Sequence, residues 1–225
     1  MIWELFNRCL RACMPKTAVL LRNVNILATG QGQWRSIVQR APVDRQGTPL
    51  PWYTYPAIEY LASLDVSQCA VFEFGAGNSS QYWARRARTV TSVEDDPQWH
   101  RQVQAAALPK QVVLLRQGAD AYAGAIESDG ARYDVIAIDG NHRLECTRAA
   151  IGRLAEGGMI ILDNSDRETE KACSALLREA GFIQVDFSGF GPINGYCWST
   201  SIFFRPDFAL RHNGTAPSPV GGPGA

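Results

Sequence analysis

Long apolar runs, an excess of either charge and closely paired cysteines are all missing from this 225-residue chain. No stretch approaches the roughly 20 apolar residues of a membrane span. Glu4, Asn7, Arg8 and Arg11 interrupt the first segment, so it reads as no secretory leader. Lysine plus arginine and aspartate plus glutamate both total 22, which makes the net charge zero. A dedicated nucleic-acid binder carries a basic excess, so no nucleic-acid partner is expected. The positive charge that exists is nearly all arginine. Cys9, Cys13, Cys69, Cys146, Cys173 and Cys197 form no C-x-x-C pair and have no regular spacing. Cys9 and Cys13 would share a helix face, but no metal-site partner is evident beside them. Reduced thiols in a cytoplasmic protein are the expectation. There is no internal repeat, and 46% hydrophobic with 20% charged residues is ordinary for a globular chain. The length suits one α/β domain with modest additions.

What is present centres on Val71-Phe72-Glu73-Phe74-Gly75-Ala76-Gly77-Asn78-Ser79-Ser80. An apolar run from Ala70 to Phe74 turns through two glycines into Gln81 to Ala87, which reads as strand, tight turn and helix N-terminus. Such a turn lets a ligand approach bare backbone, and its N–H groups favour a polar or anionic end. Thr89 to Val93 reads as a second strand, ending in Glu94-Asp95-Asp96, and Glu94 stands 21 residues after Glu73. In a nucleotide-binding βαβ unit an acid at about that distance accepts hydrogen bonds from ribose hydroxyls. The turn is not the dinucleotide fingerprint, because Ser80 stands where that pattern has its third small residue.

From residue 70 strands and helices alternate: strands at 70–74, 89–94, 111–115, 133–138 and 158–163, with helices at 79–87, 97–107, 119–127, 145–155 and 168–180. That order predicts a Rossmann-like, doubly wound α/β sheet of seven strands, mostly parallel. Strands 182–188 and 197–205 have no helix between them, so the last is expected antiparallel. Before the domain, residues 1–14 suit an amphipathic helix that Pro15 ends, 17–27 are left unassigned, and 34–40 suit a short helix. The expected boundaries are a cap segment at 1–49, the domain at 50–208 and a disordered tail at 209–225. Three prolines hold Pro49 to Pro56 extended. Its aromatics, Trp52, Tyr53 and Tyr55, either wall an acceptor pocket or pack as a strap. Pro56 suits the first turn of the next helix.

The early acid followed by G-x-G resembles the first motif of class I S-adenosylmethionine-dependent methyltransferases. The resemblance covers roughly residues 50–205, with motifs at 73–77, 94, 139–142 and 163–164 in the family's order. It implies that Glu73 holds the methionine amino end of S-adenosylmethionine and that Gly75, Ala76, Gly77, Asn78 and Ser79 pass beside the methionine portion. Glu94, with Asp95 beside it, would bind the ribose. Ala119 and Asp120 stand where the family recognises adenine, although Asp120 equally suits a helix cap. Pro-Trp-Tyr-Thr-Tyr-Pro followed by F-E-F-G-x-G-N-S-S is also similar to a bacterial group within this class.

Ligands of such sheets bind at the carboxyl ends of the strands. There, Asp139-Gly140-Asn141-His142 follows the fourth strand and Asp163-Asn164 the fifth. The pair of strand ends resembles the metal-dependent, catechol-type O-methyltransferases, which implies Asp139, Asp163 and Asn164 as ligands of Mg²⁺. His142 holds the place of the family's base, and its D-G-x-H form resembles the macrocin-type sugar O-methyltransferases. Histidine accepts a proton near neutral pH. Asp163-Asn164 also suits a helix cap. The last hairpin contributes Phe190 and Tyr196 as a far wall. The resemblance implies a transferase that O-methylates a hydroxyl of a small molecule such as a sugar or natural product, with Asp139 and His142 catalytic. A metal-free N-methyltransferase, an aminopropyl transferase and a non-catalytic cofactor-binding module are the alternatives, and a homo-oligomer is left open.

Overall fold

The computed structural model describes residues 12–216 and 218–222. The expected helix over 1–14 therefore lies almost wholly outside the described residues. Ala12 and Cys13 are helical and that helix stops at Met14, as expected before Pro15. Pro15 then opens a new helix, α1 (Pro15–Asn25), with proline in the first turn, where its missing N–H costs nothing. A π turn follows, then α2 (Gln33–Gln39) and α3 (Tyr55–Ala62). The sheet comprises β1 (Ala70–Phe74), β2 (Thr89–Glu94), β3 (Gln111–Leu115), β4 (Tyr133–Ile138), β5 (Leu154–Leu162), β6 (Ile183–Gly189) and β7 (Trp198–Phe204). Between these strands lie α4 (Asn78–Arg86), α5 (Pro97–Ala105), α6 (Ala119–Ala123), α7 (Arg143–Arg153) and α8 (Lys171–Glu179).

The strand order is β3-β2-β1-β4-β5-β7-β6. β1 to β5 pair in parallel and β7 runs antiparallel to both β5 and β6. This is the expected Rossmann-like mixed sheet. Period-2 alternation divides its core. Phe72, Phe74, Ile136, Ile138, Ile160, Leu162 and Phe203 fill one face, toward α6, α7 and α8. Val71, Val135, Met159, Ile161 and Ile202 fill the other, with Tyr82 and Trp83 of α4 and Ile58 and Leu61 of α3. Strands buried on both faces read as continuous apolar runs, which is why their limits were legible. The exception is β5, which starts four residues before the expected 158. Leu154 pairs with Tyr133 and Met159 with Val135, so residues between them bulge out of register. Gly157, at φ +74°, and Gly158 make that bulge, and a Cβ on Gly158 would stand 2.6 Å from the Asp134 carbonyl oxygen.

The chain after β7 does not leave the surface at once. Asp65 N–H donates to the Arg211 carbonyl and Asn213 N–H to that of Ser63, both at 2.8 Å. Val220 and Gly221 lie against Ile26 and Gly30. Among the described residues no helix is long and apolar enough to cross a membrane.

The carboxyl ends of β1 and β4 meet backbone to backbone. Gly75 adopts φ +98°, and a Cβ on Gly140 would lie 2.8 Å from the Gly75 nitrogen and 2.0 Å from the Tyr122 hydroxyl oxygen. Gly140→Ala is expected to destabilise the protein by about 1–3 kcal/mol through overpacking. Urea unfolding of the two proteins measures it, and an unchanged midpoint would contradict this packing.

Candidate active site

A cleft of about 640 Å³ opens at the carboxyl ends of β1, β2, β4 and β5. Its floor is the turn Gly75, Ala76, Gly77, Asn78 and Ser79, and its walls include Glu94, Asp95, Trp99, Tyr122, Asp139, Gly140, Asn141 and Arg143. Beyond them stand Arg40, Ala41, Pro42 and Trp52 on one side and Asp163, Asn164, Arg167, Asn194 and Tyr196 on the other.

Glu94 is fixed by backbone donors. Its Oε1 accepts from Asp95 N–H at 2.9 Å and Asp96 N–H at 3.0 Å, while Oε2 accepts from Ala76 N–H at 3.4 Å. Burial raises its pKa while those donors lower it. Asp96 caps α5, accepting from Gln98 and Trp99 N–H. The cap delivers Trp99 over the turn, where its indole donates to the Ala76 carbonyl at 2.7 Å. Asp95 accepts from the Asn141 amide at 3.0 Å, joining the ends of β2 and β4.

Glu73 does not reach the cleft. It lies on the Val71 face of β1, 1% exposed beneath the turn. Ser92 donates to its carboxylate at 2.8 Å, the Ser92 and Ser80 hydroxyls meet at 3.1 Å, and Ser80 accepts from Gly77 N–H. Thus Ser80, the residue that broke the dinucleotide pattern, ties the turn to the strand acid. Contact between Glu73 and the methionine amino end is an expectation this placement does not meet. Ala119 and Asp120 likewise stand outside the cleft lining, and Tyr122 of the same helix enters it instead.

Arg143 occupies the ground expected for a metal. Its guanidinium donates to Asp139 Oδ1 at 3.1 Å, to the Asp163 carbonyl and toward Asn164 Oδ1 at 3.5 Å. The Asp163 carboxylate turns away, its Oδ1 accepting from Trp198 Nε1 at 3.0 Å and from Thr200 at 2.5 Å. Among the described residues no group of three or more histidine, cysteine or carboxylate side chains is placed to hold a metal ion. The donor set does not fit Mg²⁺, because a fixed cation already sits at Asp139 and Asn164, and Asp163 Oδ1 is occupied.

Two carboxylates so close share their charge unequally. Burial pushes Asp139 up to about 6, against the pull of Arg143, with Glu73 raising it further. Burial and then Asp139 push Asp163 up to about 8. His142 is displaced from both. It enters α7 in the left-handed region at φ +52°, 4.0 Å from Asp95 and edge-on to Tyr122, outside the cleft lining. Of the expected acceptor wall, Trp52 and Tyr196 line the cleft. Tyr53 and Tyr55 are buried core residues, and Tyr55 and Phe190 face a separate apolar pocket beside α1. Trp99, Tyr122, Arg143, Arg167 and Arg40 were not anticipated. For Arg143 the signal was present, an acid and a base four apart across Asp139 and Arg143.

A seven-stranded mixed sheet with an acid-walled cleft over a glycine turn defines the class I methyltransferase fold. Residues 72–165, from β1 to the loop after β5, match the protein-family model described as "Methyltransferase domain". That match supports an S-adenosylmethionine-dependent methyltransferase domain over this segment. Among solved structures it is similar to precorrin-6y C5,15-methyltransferase from Geobacter metallireducens GS-15, at 14% identity and a TM-score of 0.53, over 70% of this chain and 93% of that one. A putative methyltransferase from Streptococcus mutans in complex with SAH shows 12% identity and a TM-score of 0.48, over 64% and 93%. Spermidine synthase from Thermotoga maritima shows 17% and 0.47, over 61% and 53%. These are likenesses of fold. No curated protein matches the chain.

Burial pushes the Glu73 carboxyl up to about 7 from an ordinary 4.5. Between those values the folded protein holds a proton that the unfolded chain has lost. Stability from this group is therefore present at low pH and is lost as pH rises through the folded value. Glu73→Gln keeps the shape without the charge. Its stability relative to the wild type is expected to rise by about 2–3 kcal/mol from pH 5 to pH 8. Urea unfolding at both values measures this, and an equal difference at the two would contradict it.

Proposed function

We propose that the protein transfers a methyl group from S-adenosylmethionine to an oxygen of a small-molecule acceptor without a metal, with Asp139 as the base. The observation that carries this reading is Asp139 in the cleft with Arg143 against it. Bound S-adenosylmethionine supplies an electrophilic methyl on a positively charged sulfonium. Glu94, Asp95 and Asp139 give the cleft the negative potential and acceptor atoms that such a cationic, hydroxyl-bearing cofactor requires. Glu94, fixed by three N–H donors, is the ribose ligand in this reading, and the Gly75–Ser79 backbone takes the methionine portion.

Asp139 removes the acceptor proton, since a carboxyl held near 6 is ionised at neutral pH yet basic enough to take one. The Arg143 guanidinium beside it stabilises negative charge gathering on the acceptor oxygen. An amine that must pass through a cation would meet repulsion from the same group, which favours oxygen over nitrogen. Transfer itself needs only in-line placement of oxygen, methyl and sulfur. His142, beside Asp95 on the other wall, takes no proton here.

Calorimetric titration with S-adenosylhomocysteine tests the cofactor assignment, and Glu94→Ala is expected to weaken binding at least tenfold. Absence of binding to the folded wild type would remove the reading. Once an acceptor is in hand, Asp139→Asn is expected to lower turnover by about 10²–10⁴-fold while S-adenosylhomocysteine binding persists. EDTA is expected to leave wild-type turnover unchanged. Loss of turnover with EDTA, restored by Mg²⁺, would show that Arg143 does not replace the metal.

A further inference from the structure

The cleft carries opposite charges in different parts of its wall. Glu94 and Asp95 stand at the β2 end, over the glycine turn. Arg40 and Arg167 stand on the strap before α3 and in the loop after β5. An arginine at a rim is by itself weak evidence in a chain whose positive charge is nearly all arginine. Three observations set this pair apart. The third cleft arginine, Arg143, is taken up by protein oxygens. Among the described residues the Arg40 and Arg167 side chains make no ion pair or hydrogen bond, so a ligand is the partner they can meet. Arg167, though exposed, lines the same cleft as Asp139, and its charge lowers the Asp139 pKa.

The strap that carries Arg40 is held at both ends. The Asn78 amide donates to the Pro42 carbonyl at 2.7 Å, and the Gln33 amide donates to the Gly191 and Asn194 carbonyls at 2.9 and 3.3 Å. Arg40 itself closes α2 in the left-handed region at φ +53°, uncommon for a long side chain. Trp52 on the strap, 43% exposed, and Tyr196 on the β6–β7 loop, 57% exposed, are two large aromatics on the wall of the same cleft.

We propose that the acceptor is a ring-bearing anion, its carboxylate or phosphate anchored by Arg40 and Arg167 and its ring set against Trp52 and Tyr196. This rests on the methyl-transfer reading and names its substrate class. Arginine is suited to the anchor because its planar fork meets either anion through two parallel hydrogen bonds. The anchor fixes the acceptor at a distance from the hydroxyl that Asp139 deprotonates. The acceptor loses one proton and gains one methyl, and S-adenosylhomocysteine leaves.

The test is calorimetry with phenyl phosphate, benzoate and benzyl alcohol, on protein alone and loaded with S-adenosylhomocysteine. At least one anion is expected to bind tenfold or more tightly than the neutral alcohol, and the tighter of the two assigns the anchor. The double variant Arg40→Gln/Arg167→Gln is expected to lose that preference while its S-adenosylhomocysteine affinity stays within about twofold. Equal binding of anions and alcohol, or a preference that survives the double variant, overturns the inference while leaving cofactor binding intact. A large loss of S-adenosylhomocysteine affinity in the double variant also overturns it, by assigning the arginines to the cofactor's own carboxylate. Failure of the wild type to bind S-adenosylhomocysteine would sink the methyl-transfer reading instead, with the anion titration of unloaded protein still deciding the anchor.

Discussion

Two adjacent parallel strands, β4 and β5, each end in an aspartate at the mouth of the same cleft. Neighbouring strands are about 4.8 Å apart, so the fold brings Asp139 and Asp163 close in partly dry surroundings. Their mutual repulsion has to be met by a cation, by protonation or by hydrogen bonds, and the structure uses all three. Arg143 meets Asp139, the Trp198 indole and Thr200 hydroxyl meet Asp163, and both carboxyl groups hold protons more tightly than exposed ones do. The ends of β4, β5 and β7 and the start of α7 are placed by that arrangement.

The identity of the cation has chemical consequences. A divalent ion would bring open coordination positions for an acceptor oxygen, and it would come and go with supply. A guanidinium on α7 is permanent, planar and already bonded to the strand ends, so it fixes the direction of Asp139 rather than recruiting the substrate directly. The geometry that makes Arg143 a fixed counter-ion therefore leaves substrate capture to other groups. In the proposed reading Arg40, Arg167, Trp52 and Tyr196 do it.

The parallel strands were legible because each is a short apolar run bounded by turn residues, and β1 through β4 begin and end at the expected residues. The bulge that starts β5 early was not, since Ala155 to Gly158 carries no alternation. The glycine turn, Glu94, Asp139, Asp163 and Asn164 were found at the cleft because strand ends are fixed by topology. Side-chain direction was less legible. His142 has the spacing of a base, yet a left-handed backbone at that one residue sends its ring to Asp95, and the neighbouring arginine takes the inner position. Glu73 has the spacing of a cofactor ligand, yet strand alternation puts it beneath the turn. In the strap, three aromatics within four residues divide between core and cleft. Only Trp52 faces the ligand side, because Tyr53 and Tyr55 are drawn into the apolar layer under β7.

The strap shows how a segment outside the family match completes the cleft. Sheet, turn and strand-end acids explain how a cationic cofactor is received, but they leave one side of the cleft open. Pro42 is held to the turn through Asn78, and Gln33 is held to the β6–β7 loop, so the segment is tied once at the turn and once at that loop. A strap fixed at two such points changes position only if both hydrogen-bonded ends yield. In the proposed reading this ties the acceptor wall to the turn assigned to the methionine portion, so that ordering one site by its ligand would help to order the other.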